Sequence, residues 1–147
     1  MRHGKASLVL RRVVVGFAIV STVSHAKEIG GRLDCHIGAH DFIEQLVEEK
    51  EIDPVPMEVA SNSVNAYRLR PNQNLTALGF KVRAVFGFSP NDEMFAESGG
   101  GDVSHPVYGV VVMAGKEAVS DRIRETGSPA TVKEVMPLVL SAVVCER

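Results

Sequence analysis

Between residues 37 and 51, apolar side chains fall at Phe42, Ile43, Leu46 and Val47, while Glu44, Gln45, Glu48, Glu49 and Lys50 fill the positions around them. Spacings of three and four residues put the first set on one face of an α-helix and the second on the other, which predicts an amphipathic helix. Pro54 and Pro56 bar its continuation, because proline lacks the donor N–H and its ring collides with the preceding turn. Residues 57–69 predict an irregular strand, bulged or bent at the polar Ser61, Asn62 and Ser63. After a turn at 70–74 the alternation becomes regular. Leu78, Phe80, Val82, Ala84, Phe86 and Phe88 fall on one side and Gly79, Lys81, Arg83, Val85 and Gly87 on the other, so this strand is expected to have one core face and one mixed face.

Residues 107–114 are almost all apolar, as a central strand covered on both faces requires. Residues 115–126 predict a short helix packed through Ala118, Val119 and Ile123, closed by Gly127 as a left-handed cap with Pro129 just beyond. Residues 131–145 predict a last strand with Val132, Met136, Leu138, Leu140, Ala142 and Val144 on one face. Pro137 cannot donate to a ladder, so that strand either begins at Leu138 or lies at an edge. The order α-β-β-β-α-β reads as an antiparallel meander followed by a parallel crossover through the second helix. The expected fold is α+β, a two-layer sandwich with a mostly antiparallel four-stranded sheet and its helices on one face.

Ahead of these elements, Arg2, Lys5, Arg11 and Arg12 precede the apolar run 13–20, and the small residues Ser24 and Ala26 frame a cleavage site at His25. This is the pattern of a secretory signal peptide over residues 1–26. The uncharged stretch 13–23 is about half of the roughly 20 residues that a spanning helix needs, and Ser21 and Thr22 interrupt it. One globular domain, 27–147, is therefore expected in the periplasm, free of the membrane once the leader is removed. Cleavage takes four of the 16 Lys and Arg and none of the 18 Asp and Glu, which leaves a net charge of −6. Such a domain is a poor ligand for nucleic acid and suits a basic protein partner. In an oxidising compartment Cys35 and Cys145 are most simply a disulfide. Closing so long a loop is worth about 4 to 5 kcal/mol in the chain-entropy account.

Candidate chemistry is sparse. His36 and His40 are four apart beside Cys35 and Asp41, but zinc needs three or four ligands and Cys35 is taken by the disulfide, so no metal is expected. Asp102, Ser104 and His105 form a Ser/His/Asp set within a single loop, whereas a triad converges from separate parts of a fold onto an oxyanion hole. Neither catalysis nor a cofactor is expected. The loop itself, 89–106, is long for a hairpin connection, and Gly99, Gly100 and Gly101 let backbone approach a partner closely. Its candidate partner-binding residues are Ser98, Gly99, Gly100, Gly101, Asp102, Ser104 and His105.

A signal peptide, a small acidic disulfide-tied domain and the lack of an enzyme motif together resemble the periplasmic immunity proteins that protect bacteria from type VI secretion amidase effectors. The run Tyr108-Gly-Val-Val-Val-Met-Ala-Gly115 and the ending Ala142-Val-Val-Cys145 look most like the third amidase immunity family, whose toxins are cell-wall amidases of the NlpC/P60 type. The likeness covers roughly the second half of the chain and transfers no residue by position. It implies a non-catalytic inhibitor that occupies the effector's Cys/His cleft, and an oligomeric complex with it. The alternative is a periplasmic small-ligand-binding protein or enzyme with an unrecognised site. Mass spectrometry of periplasmic material is expected to show a chain beginning at Lys27 with no thiol that alkylates before reduction. An intact Met1 contradicts the export reading, and two alkylated cysteines contradict the disulfide.

Overall fold

The computed structural model describes residues 25–101 and 103–147. The expected signal peptide therefore lies outside the described residues, apart from His25 and Ala26, which precede the first strand without regular structure. In chain order the elements are β1 (Lys27–Glu28), a 3-10 turn (Gly30–Leu33), α1 (Ala39–Glu48), β2 (Glu58–Val59), β3 (Asn65–Tyr67), β4 (Leu75–Ala77), β5 (Phe80–Phe88), β6 (Val107–Val112), α2 (Lys116–Thr126), β7 (Thr131–Met136) and β8 (Leu140–Glu146). The strands form one sheet in the order β1-β4-β5-β6-β8-β7, with β3 pairing a further stretch of β5 and β2 pairing β3. Among the described residues, β1 and β4 are the one pair that runs parallel.

The class is α+β and the sheet is mostly antiparallel, but it has eight strands rather than the expected four. Three of the four added strands come from turns made by residues that do not announce one, and the fourth is the short β1, which pairs with β4 ahead of every expected element. Residues 57–69 are a β2–β3 hairpin that reverses near Ser63 (φ 66°). Leu78 and Gly79, expected inside a strand, are the two-residue turn between β4 and β5, both at positive φ (57° and 83°). Residues 131–145 fold back at Pro137 and Leu138 (φ 62°) into the β7–β8 hairpin. As a result β7 runs in the same direction as β6, as the crossover requires, while β8 returns between them.

The helices follow the sequence more closely. α1 ends in a Schellman motif, with Lys50 at φ 60° as its left-handed residue. Lys50 N–H donates to Val47 O and Glu51 N–H to Leu46 O, so the helix stops before the prolines are reached. α2 ends at Gly127 (φ 69°), the position where a residue without Cβ is favoured.

One face of the sheet carries the helices. Phe42 of α1 packs on Tyr108 of β6, with ring centroids 4.6 Å apart, and Ile43 lies over Gly87, where a Cβ would come within 2.9 Å of it. Val119 and Ile123 bury α2, which packs on β7 and β8. Tyr67, Val85, Val110 and Val143 complete this core from the sheet side. Cys35 and Cys145 are joined as expected, with Cα atoms 5.2 Å apart, so the segment after the 3-10 turn is tied to β8 across a separation of 110 residues.

At the sheet's centre β6 and β8 approach too closely for a side chain at Gly109. A Cβ there would lie 1.9 Å from Val143 O and 2.7 Å from Phe86 Cζ. The phenyl ring of Phe86, the cross-strand partner of Gly109, occupies the space over this bare backbone. Gly109→Ala is accordingly expected to cost about 3 kcal/mol or more in urea unfolding, since backbone must move to admit the methyl group. Gly31→Ala, which meets nothing within 4 Å, should stay within about 0.5 kcal/mol of the parent.

Candidate partner-binding loop and sheet face

The long loop is held to the β2–β3 hairpin by one buried amide. Asn65 Nδ2 donates to Ser63 O and to Ala96 O, both at 2.8 Å, and its Oδ1 accepts the Ala96 N–H at 3.0 Å. Ser63 Oγ, equally buried, accepts the Ser98 N–H at 2.9 Å. Ser98 Oγ in turn donates to Ser61 O at 2.8 Å and accepts the Gly100 N–H at 3.3 Å. Val103 N–H closes the set on Asn62 O. Removing one partner from such a network leaves buried polar groups unmatched, worth about 1 to 3 kcal/mol each. An apolar anchor acts beside it: Phe95 is buried 6.1 Å from Phe88.

At the start of the loop, Asp92 accepts the Met94 N–H through Oδ1 and pairs with His40 Nδ1 of α1 through Oδ2 at 2.8 Å. That hydrogen bond raises the His40 pKa above its ordinary value, against a lowering by burial, and the charges of Asp92, Glu44 and Asp41 add to the rise.

Of the residues expected to bind a partner, Ser98, Gly99, Gly100 and Gly101 lie together at the exposed tip. Ser98 supports the tip from within, its hydroxyl being engaged by Ser61 and Gly100. Gly100 rests on Ser61 O, where a Cβ would lie at 2.4 Å, while Gly99 (φ 72°) and Gly101 (φ 98°) face open space. Asp102 lies outside the described residues. Ser104 and His105 stand apart from the tip, at the approach to β6: Ser104 Oγ is 3.4 Å from His105 Nδ1, and His105 Nε2 is 3.9 Å from Glu146 of β8. His36 and His40 are not brought together. His36 pairs with Asp34 and His40 with Asp92, and among the described residues no three His, Cys, Asp or Glu side chains converge as metal ligands.

The sequence pattern did not separate the two faces of β5. A register shift between Val82 and Ala84 leaves Val82 and Val85 both buried in the core and sends Ala84 and Phe86 to the face without helices. There Phe86, Val64, Ala66, Val111, Ala142 and Val144 line an apolar groove of about 470 Å³, which Val103 of the loop borders. Val135 lines it too and is 54% exposed, and from it the apolar surface continues to Met136, Leu138 (89% exposed) and Val139 on the β7–β8 hairpin. Apolar surface left uncovered in this way marks interaction sites on soluble proteins. Asn65, Ser63, Phe95 and the groove were missed from sequence. The available signals were an asparagine inside a strand and a phenylalanine inside a polar loop.

A separate cavity of about 610 Å³ lies between the 3-10 turn, Leu78 and Gly79, and the end of α2. Of its two carboxylates, Asp34 pairs with His36 and Glu28 is already committed to the N–H groups of Gly30, Leu78 and Gly79. Burial opposes its charge, but these bonds and one from Thr76 outweigh it and hold its pKa below the usual carboxylate range. Glu28 therefore fixes the left-handed Leu78 turn.

The chain matches no family model, no curated protein and no solved structure. Among the described residues, no helix is long and apolar enough to cross a membrane.

The His40–Asp92 pair gives the loop anchor a pH dependence whose sign is fixed. With its pKa raised in the folded state, His40 contributes stability fully below its unfolded value of about 6.5 and loses it as pH rises through the folded value. The Tm difference between the parent and His40→Gln should be largest near pH 5 and shrink as pH rises above about 6.5. A gap that widens toward alkaline pH contradicts the assignment.

Proposed function

We propose that this chain is an exported immunity protein that binds a type VI secretion amidase of the NlpC/P60 type and blocks its active-site cleft with the loop 89–106. The observation that carries this reading is the construction of the loop. It is clamped by Asn65, Ser63 and Phe95 behind the tip, while the tip backbone at Gly99 and Gly101 stays bare and exposed. A segment ordered before it binds avoids the ordering cost of association, and glycine backbone permits close approach inside a narrow cleft. The Cys35–Cys145 disulfide fits a protein working in an oxidising compartment.

Inhibition of a purified NlpC/P60-type amidase from the same strain tests the proposal, with the parent and a variant lacking residues 99–104. The parent is expected to inhibit stoichiometrically. The deletion should weaken inhibition at least about tenfold if the tip is central, and its thermal melt should stay close to the parent's because the tip contributes little core. Equal inhibition by a normally folded deletion variant contradicts the plug.

A further inference from the structure

Beyond the apolar groove, the helix-free face changes character. Lys81 and Arg83 flank Val82, which is turned into the core, so the alternation of β5 sends both to the opposite face. Arg68 stands two residues after Ala66, whose partner across the ladder is Phe86 of the groove. These three cations line one cleft of about 610 Å³ together with Met57 (44% exposed) and Met113 (49% exposed), and none of its lining residues is acidic.

Elsewhere most cations are paired, Lys50, Lys116 and Arg147 being the exceptions among the described residues outside this cleft. Lys27 and Arg32 bind Glu49, Arg70 approaches Asp53, Arg122 and Arg124 meet Glu125 and Asp121, and Lys133 meets Glu146. Among the described residues, none of Arg68, Lys81 and Arg83 has a carboxylate within 4 Å. Three like charges gathered in one cleft repel one another, a cost that an incoming anion converts into attraction.

We propose that this cleft docks an acidic segment of a partner protein, with its carboxylates on Arg68, Lys81 and Arg83 and its apolar side chains on Met57, Met113 and the groove around Phe86. The inference rests on the reading of the chain as a partner-binding protein but concerns a surface other than the loop. It reverses the expectation of a basic partner drawn from net charge alone. A long polyanion does not suit the site, since the domain after cleavage carries −6 and repels it, and phosphate offers nothing to two exposed methionines. A short stretch of carboxylates between apolar residues satisfies both halves of the face.

The test uses the mature protein and two fluorescein-labelled peptides, Leu-Glu-Val-Asp-Phe-Glu-Leu-Asp and its counterpart with lysine at every acidic position. The acidic peptide is expected to bind, and its affinity should fall at least about tenfold both between 50 and 300 mM salt and in the variant Arg68→Gln/Lys81→Gln/Arg83→Gln. Should the triple variant fail to fold, Arg68→Gln and Arg83→Gln singly are each expected to weaken binding about threefold or more. The idea is overturned if the acidic peptide does not bind, if the substitutions leave its binding unchanged, or if the lysine peptide binds more tightly. Binding to phosphatidylglycerol vesicles in place of the peptide also overturns it, in favour of a lipid headgroup. The variant lacking residues 99–104 should bind the acidic peptide as the parent does. Peptide binding without amidase inhibition would refute the immunity reading and leave this site standing, and amidase inhibition without peptide binding would do the reverse.

Discussion

The extra residue that β5 carries opposite β6, between Val82 and Ala84, decides which side chains face which way on both sides of the sheet. A strand has a period of two, so one inserted residue exchanges the faces of everything beyond it. Without the insertion Val82, Ala84 and Phe86 share a face, and Gly87 does not meet Ile43. With it, Val82 and Val85 both enter the core under the helices, and Gly87 gives α1 its close seat. Phe86 is freed to cover Gly109 from the other side, and Lys81 and Arg83 stand beside it in solvent. The helix packing, the tight β6–β8 contact and the mixed character of the open face are thus consequences of one register shift.

A second constraint acts where the chain leaves that sheet. A loop of this length would ordinarily be mobile, because few of its residues bury enough surface to offset their ordering entropy. Here β3 contributes a buried asparagine whose amide reproduces the backbone pairing that a neighbouring strand would offer: one donor to Ala96 O and one acceptor for its N–H. Phe95 adds the apolar burial. The order of the tip is therefore set by residues outside it, which separates the side chains that build the loop from those that can face a partner.

The sequence was most legible where the chain's own chemistry sets the structure. Gly127 closes α2, the apolar run of β6 lies at the sheet's centre, and the two cysteines pair. It was least legible at four boundaries occupied by Lys50, Ser63, Leu78 and Leu138, all at positive φ without being glycine. No local preference places a leucine there. Leu78 is held by the carboxylate of Glu28, fifty residues earlier, and Lys50 by the Schellman bonds of α1. At Ser63, Leu78 and Leu138 a local reading runs straight through the turn, which together with the unforeseen short β1 leaves it counting four strands where eight form. In the candidate site, composition marked the glycine tip but not its anchors. The cationic cleft stayed hidden because Arg68 reaches Lys81 and Arg83 only through the pairing of β3 with β5.

The net charge of a small domain is a poor guide to the field a partner meets. A net charge sums over groups that have already cancelled each other, and Lys27 with Arg32 against Glu49 and Glu51 contributes almost nothing to the field beyond its own corner. What a partner meets at the distance of a Debye length is the remainder. On the helix side that remainder is mixed in sign: Glu48 of α1 and Glu117 of α2 are exposed without an ion-pairing cation among the described residues, and Lys50 and Lys116 are exposed without a carboxylate. On the open face it is Arg68, Lys81 and Arg83, with Glu58 of β2 the one acidic residue lining the neighbouring groove that has no ion-pair partner there. A local cluster of uncancelled charge orients an encounter even when the net charge disfavours it. The face a partner reaches first is thus fixed by which salt bridges the fold completes, a property of the eight-stranded register and not of composition.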